Sequence, residues 1–151
     1  AAVAVGLGIQ ADQAADSALS YLTRFIESQP HLAQGSPVTL VVGGVPVGPP
    51  LPRLVANGLM LVGDAARQVD PLTGGGIANA MLAGRLAAEV AAEAIAAGDT
   101  STEALALYQE RWMAVRGHKM ARNYRLKERF GPDQRTSPDF LRLFMVAVGG
   151  V

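Results

Sequence analysis

The feature that most constrains this chain lies at its centre. An apolar run, Leu59-Met60-Leu61-Val62, ends on Gly63-Asp64, and a glycine triplet, Gly74-Gly75-Gly76, precedes a long alanine-rich stretch. The run is short and bounded by turn residues, with Asn57-Gly58 ahead of it, so it reads as a buried strand over Leu59 to Gly63. From Gly76 to Ala97 small apolar residues recur at helical spacing, with Ile77, Ala80, Met81, Ala83, Ala87, Val90 and Ala94 in the core stripe, and Gly98-Asp99 ends the helix. Side chains this small require a close neighbour. Asp64 would then project from the end of a strand as a fixed acceptor for a hydroxyl, while the glycine turn exposes backbone N–H donors. Those donors and the helix dipole favour negative charge by about 0.3–1 kcal/mol when exposed. The competing reading is structural: Asp64 caps a turn and the glycines permit tight packing.

The flanks add elements of both kinds. Ala2 to Ile9 and Val38 to Val42 are short, valine-containing and apolar, as strands are. Between them, Ala14, Ala15, Ala18, Leu19, Leu22, Phe25 and Ile26 recur at three- and four-residue steps, predicting an amphipathic helix over 11–28, with Asp12, Gln13 and Asp16 near its start and Pro30 ending it. Gly43 to Pro50 is too rich in Gly and Pro for regular structure. Thr100-Ser101-Thr102-Glu103 has capping-box spacing and predicts a helix from near Ser101 toward Phe130, with Gly117 a kink and Gly131-Pro132 a stop. Ser137-Pro138 opens a last helix.

Composition narrows the function classes. Thirteen basic and thirteen acidic residues leave no net charge, which removes support for a nucleic-acid binder. The balance is uneven along the chain, net −4 over residues 1–100 and net +4 over 101–151. With no cysteine, disulfides, thiolate metal sites and cysteine nucleophiles are excluded, and a reducing cytoplasm is compatible. His31 and His118 have no partner at ligand spacing, so no metal site is expected. Proline-free apolar runs reach nine residues, Ala1 to Ile9 and Leu143 to Val151, against the about 20 that a membrane-spanning helix needs. Gly6-Leu7-Gly8-Ile9-Gln10-Ala11 matches a loose dinucleotide pattern, but no acidic residue follows the next strand until Asp64, and a strand–turn–helix with packing glycines explains it as well.

At its centre the sequence resembles the geranylgeranyl reductases, flavin-dependent reductases of isoprenoid chains. The resemblance rests on Gly43-Gly44-Val45-Pro46-Val47-Gly48-Pro49, the run Gly58 to Gly63, the turn Gly63-Asp64-Ala65-Ala66, the loop Pro71-Leu72-Thr73-Gly74-Gly75-Gly76-Ile77, and Ala80, Gly84, Arg85 and Ala87-Ala88. Weaker likeness takes in Val5-Gly6-Leu7-Gly8, Tyr108 and Arg111-Trp112, so that residues 3–130 are covered, most strongly 43–90. It implies an α/β fold: the C-terminal part of an FAD-binding sheet domain of the glutathione-reductase and hydroxylase type, a piece of a β-rich substrate domain, and a helical C-terminus. The implied boundaries are 1–42 for the end of the substrate domain, 43–98 for the FAD-binding segment and 99–151 for the helical region.

The resemblance also implies roles. Asp64 would hold a ribityl hydroxyl of FAD. Gly63, Ala65 and Gly74 to Ile77 would line the cofactor, the amides of Gly74 to Ile77 facing the N1–C2 carbonyl edge of the flavin, and Pro71 and Thr73 would fix the loop's course. Gly44, Val45 and Pro46 would border the prenyl-lipid substrate. No catalytic side chain and no electron donor is assigned. The family's own first strand and its glycine-rich ADP-binding loop have no counterpart here, so the chain is expected to be a C-terminal fragment with little FAD affinity alone. The alternatives are an aromatic hydroxylase or halogenase of the same flavin fold, and a non-catalytic structural or interaction domain. Arg116, Lys119, Arg122, Arg125, Lys127 and Arg129 form a basic cluster. It is either a solvated helix face or, in a cytoplasmic protein, a peripheral contact with anionic headgroups.

Overall fold

The computed structural model describes residues 2–11, 14–130 and 137–149, the last three as backbone. They form two compact units, 1–43 and 44–151. The described residues are mostly helical and carry one small sheet.

In the first unit, α1 (Ala18–Glu27) opens where Ser17 Oγ accepts the Ser20 amide at 3.1 Å. It therefore starts later than the apolar spacing predicts, because the serine cap rather than the periodicity sets the first turn. Asp12 and Gln13 lie outside the described residues. Asp16 pairs with Arg24 at 2.9 Å, and the Ser17 amide together with that guanidinium holds its carboxyl below the usual range. Pro30 both ends this stretch and opens a single turn, α2 (Pro30–Ala33). The strands expected over 2–9 and 38–42 do not form: both segments are irregular, and Val38 and Val41 are 91% and 88% exposed. A strand owes its stability to a ladder partner, and no described residue pairs with either segment.

In the second unit, Asn57-Gly58 makes the expected turn, with Gly58 at φ 65°, between β1 (Val55–Ala56) and β2 (Leu59–Met60), an antiparallel pair. The predicted strand is thus shorter and less buried than read, with Leu59 51% exposed. The chain passes through a 3₁₀ turn, Gly63–Ala66, and the loop 67–76 into α3 (Ile77–Ala97), which Gly98 ends at φ 69°. The inward stripe of α3 is Ala83, Leu86, Ala87, Val90 and Ala94; Ile77 and Met81, predicted to join it, stand exposed at its first turns.

Helix α4 (Thr102–Trp112) returns along α3 and buries Leu105, Tyr108 and Trp112. Its cap is Ser101, whose Oγ accepts the Ala104 amide at 3.2 Å, one residue after the Thr100 of the capping-box pattern, and Asn57 Oδ1 accepts the Thr102 amide at 2.8 Å. The kink predicted at Gly117 is a π-helical turn, Met113–Gly117, leading into α5 (His118–Arg129). A Cβ at Gly117 would meet Met113 Sδ and come 3.3 Å from Trp112 Nε1, so a larger residue there requires the Met113 side chain to move. The stop expected at Gly131-Pro132 falls outside the described residues. Helix α6 (Pro138–Gly149) opens with Ser137 Oγ accepting the Phe140 amide, and Phe140 packs edge-on against Phe130 with centroids 5.4 Å apart. No described helix is long and apolar enough to cross a membrane.

Candidate functional site

The site is built from a rigid turn outward. Gly63 adopts φ 62°, which an L side chain resists, and a Cβ there would lie 3.4 Å from Ala80 Cβ. Its N–H donates to Gln68 Oε1 at 2.7 Å, and its carbonyl accepts the Gln68 amide at 3.0 Å. Gln68 Nε2 donates to the Tyr108 hydroxyl at 2.8 Å, which in turn donates to the Leu61 carbonyl at 2.8 Å. Gln68 and Tyr108 are fully buried, so this network replaces water for every polar group in it. Burial raises the Tyr108 pKa above 10.0, and the Gln68 donor works against that rise.

The turn points Asp64 outward. Its side chain is exposed, and among the described residues its carboxylate accepts no hydrogen bond, so it caps no turn. Arg67 follows at φ 51° and sends its guanidinium to the Pro49 carbonyl at 3.1 Å, tying the approach segment to the turn.

The loop is shaped by Asp70. Its Oδ1 accepts the amides of Leu72 and Thr73 at 2.9 and 3.3 Å, an arrangement in which an aspartate imitates a backbone turn. Its own carbonyl accepts the Gly74 amide at 2.8 Å, and its amide donates to Gly75 O at 2.9 Å. Thr73 Oγ1 accepts the Gly75 amide at 3.2 Å. The amides of Gly74 and Gly75 are therefore engaged within the loop. The free donors of the predicted set are those of Gly76 and Ile77, at the N-terminus of α3, where no side chain caps the helix. A Cβ on Gly76 would stand 3.0 Å from Val69 Cγ2 and 3.4 Å from Asp64 Oδ1. The exposed carboxylate and the uncapped helix end thus meet at one place.

Of the other predicted residues, Ala65 and Ile77 are exposed, Pro71 is buried beneath the loop, and Val45 stands beside the glycines, 3.9 Å from where a Gly74 Cβ would be. Gly44 and Pro46 flank Val45 on the approach segment. Within the basic cluster, Arg116, Arg122, Arg125 and Arg129 are exposed, Lys119 is half-buried, and Lys127 donates to the Val47 carbonyl at 3.0 Å. A cavity of about 360 Å³ lined by Leu51, Leu54, Trp112, Met113 and Met120 lies elsewhere and includes neither Asp64 nor any glycine of the loop.

Sequence reading gave no role to Gln68 or Asn123 and named Tyr108 only within the weaker likeness and Lys127 only within the basic cluster, because each acts through a contact with a residue distant in the chain. Asp70 had a local signal, an aspartate ahead of Pro-Leu-Thr, of the kind that starts turns.

No protein-family model matches the chain. It is 46% identical over 145 residues, 95% of its length, to the digeranylgeranylglycerophospholipid reductase of Methanothrix thermoacetophila, of which it covers 36%. It is 50% identical over 129 residues to the protein of the same name from Methanoculleus marisnigri, covering 83% of the chain and 32% of that relative. In structure it matches a geranylgeranyl bacteriochlorophyll reductase-like protein from Thermoplasma acidophilum with a TM-score of 0.71 and 36% identity, covering 85% of this chain and 37% of that one. The chain spans about a third of the length of each. In sequence and in backbone, then, it is a homologue of part of the geranylgeranyl reductase family.

Proposed function

We propose that the chain supplies the ribityl and pyrimidine side of the cofactor site in an FAD-dependent reductase that saturates isoprenoid double bonds of a prenyl lipid. The observation that carries this reading is the unpartnered Asp64 carboxylate beside the uncapped N-terminus of α3 at Gly76. The residues fit the group: one exposed acceptor suits a sugar hydroxyl, and adjacent amides at a helix start suit a carbonyl edge that gains negative charge. FAD, when bound, supplies the hydride chemistry. Asp64 binds and orients, and the Gly76 and Ile77 amides are preorganised donors. Pro71 and Thr73 hold the loop, and Gly44, Val45 and Pro46 give an apolar border that helps exclude water from a prenyl chain.

In this reading 43–98 belongs to the FAD-binding domain, 1–42 to the end of the substrate domain and 99–151 to a helical region. The names of the relatives favour a reductase over a hydroxylase, a halogenase or a non-catalytic module. Contact with a membrane would be peripheral, through Arg116, Lys119, Arg122 and Arg125. The test is Asp64→Ala in the intact protein. Because the carboxylate makes no internal bond, folding stability should stay within about 0.5 kcal/mol while bound flavin falls. Full flavin occupancy in that variant overturns the reading.

A further inference from the structure

Helix α5 reaches both walls of the site from one face. Asn123 and Lys127 are four positions apart and so lie together on the helix. Asn123 Nδ2 donates to Asp70 Oδ2 at 2.8 Å, and Lys127 Nζ donates to the Val47 carbonyl at 3.0 Å. The first contact bears on the glycine loop, because the other oxygen of Asp70 holds the amides of Leu72 and Thr73, and the Asp70 carbonyl holds that of Gly74. The second bears on the approach segment two residues beyond Val45, the residue nearest Gly74.

Asn123 is fully buried, and its Oδ1 has no hydrogen-bond partner. Its orientation is settled by chemistry, since a carboxylate can only accept and must face the amide nitrogen. A leucine or methionine would fill this buried position without the orphaned amide oxygen but would take the donor away from Asp70 Oδ2, so the polar end of Asn123 is explained by that hydrogen bond and not by packing. Its one hydrogen bond ends on the residue that shapes the loop.

We propose that Asn123 is a positioning residue for the flavin-facing loop. Through Asp70 it sets the course of residues 72–76, and with Lys127 it fixes the spacing between that loop and the Val45 wall. The proposal rests on the flavin reading above and assigns to α5, outside the glycine motif, the geometry of the same site.

A charge swap tests it. In the intact protein, Asn123→Asp sets two carboxylates against each other. Adding Asp70→Asn restores the contact in reverse: the oxygen of the carboxamide introduced at position 70 would accept the Leu72 and Thr73 amides, and its nitrogen would donate to the carboxylate introduced at position 123. Hydrogen exchange of the amides of Leu72, Thr73 and Gly74 should quicken at least tenfold in N123D, and the flavin Kd should rise about tenfold. Both should return toward the original values in the N123D/D70N double variant. If N123D does not fold, recovery of folding and of slow loop exchange in the double variant carries the same weight. Unchanged loop exchange in N123D, or a double variant no better than the single one, overturns the proposal. Loop exchange that responds to the swap while flavin affinity does not would sustain the Asn123–Asp70 link and refute the flavin reading instead.

Discussion

Gln68 accepts the N–H of Gly63, five positions earlier, at 2.7 Å, and this contact fixes the direction in which Asp64 leaves the turn. The same carboxamide reaches Tyr108 on α4, so the turn is held by the helical layer and not by its own short hairpin. Replacing Gln68 by leucine keeps the volume nearly constant but leaves the Gly63 amide buried and unpaired. The expected loss is about 1–3 kcal/mol. It should appear as a lower denaturant midpoint at constant slope. A midpoint unchanged from that of the original protein would mean that water or another acceptor replaces Gln68.

The Tyr108 phenol gives a pH dependence whose sign follows from its burial. Its folded pKa lies above 10.0, the ordinary value. The stability it contributes is therefore complete below the unfolded pKa and is lost as pH rises from there through the folded one. The phenolate absorbance that Tyr108→Phe removes should develop above pH 10.0, and it should accompany alkaline unfolding. The variant is also weaker at neutral pH, because the Leu61 carbonyl loses its donor. If the absorbance lost in Tyr108→Phe develops below pH 10.0 while the protein is still folded, the phenol is not held neutral by burial.

Three glycines should respond differently to alanine. Gly84 lies inside α3 with nothing within 4 Å of the position a Cβ would take, so Gly84→Ala should add roughly 0.5–1 kcal/mol by restricting the unfolded chain. Gly63→Ala should cost about 1–2 kcal/mol through its left-handed backbone. At Gly76 the new methyl meets Val69 and the Asp64 carboxylate, so flavin binding should suffer more than folding. Thermal unfolding with and without flavin separates the three, and a common effect at all of them would reduce the loop to a packing device.

What the sequence disclosed follows from the range of the interactions involved. The Asn57-Gly58 turn, the Gly98 stop and the Ser137-Pro138 start are local, and each appears where residue chemistry places it. The turn at Asp64 and the helix start after the glycines were legible because both are encoded locally, although β2 ends at Met60 and Asp64 lies in a 3₁₀ turn and not at a strand end. Residues 2–9 and 38–42 have strand composition, yet composition supplies no ladder partner, and none exists among the described residues. Asn123 carried no local signal, and Lys127 read as one more cation of the basic cluster. Their partners, Asp70 and Val47, lie 53 and 80 positions away, beyond any periodicity.

On the proposed reading, the cations from Arg116 through α5 would bear on how a prenyl-lipid substrate is met. Six cations lie between Arg116 and Arg129, but Lys127 is engaged with Val47, so the outward set is Arg116, Arg122, Arg125 and Arg129 with Lys119 half-exposed. Each such charge adds about 1 kcal/mol of attraction near an anionic membrane, an effect confined to about 10 Å at 0.1 M salt. The intact protein should therefore sediment with anionic liposomes at low salt and release at high salt. Replacing Lys119, Arg122 and Arg125 by glutamine should weaken that binding. Because none of the three hydrogen-bonds within the described residues, flavin content and thermal stability should be unchanged. If the unmodified protein ignores anionic liposomes even at low ionic strength, these cations are a solvated face and the substrate reaches the site by another route. The flavin reading would stand in that case, since it depends on Asp64 and the start of α3 and on no outward cation of α5.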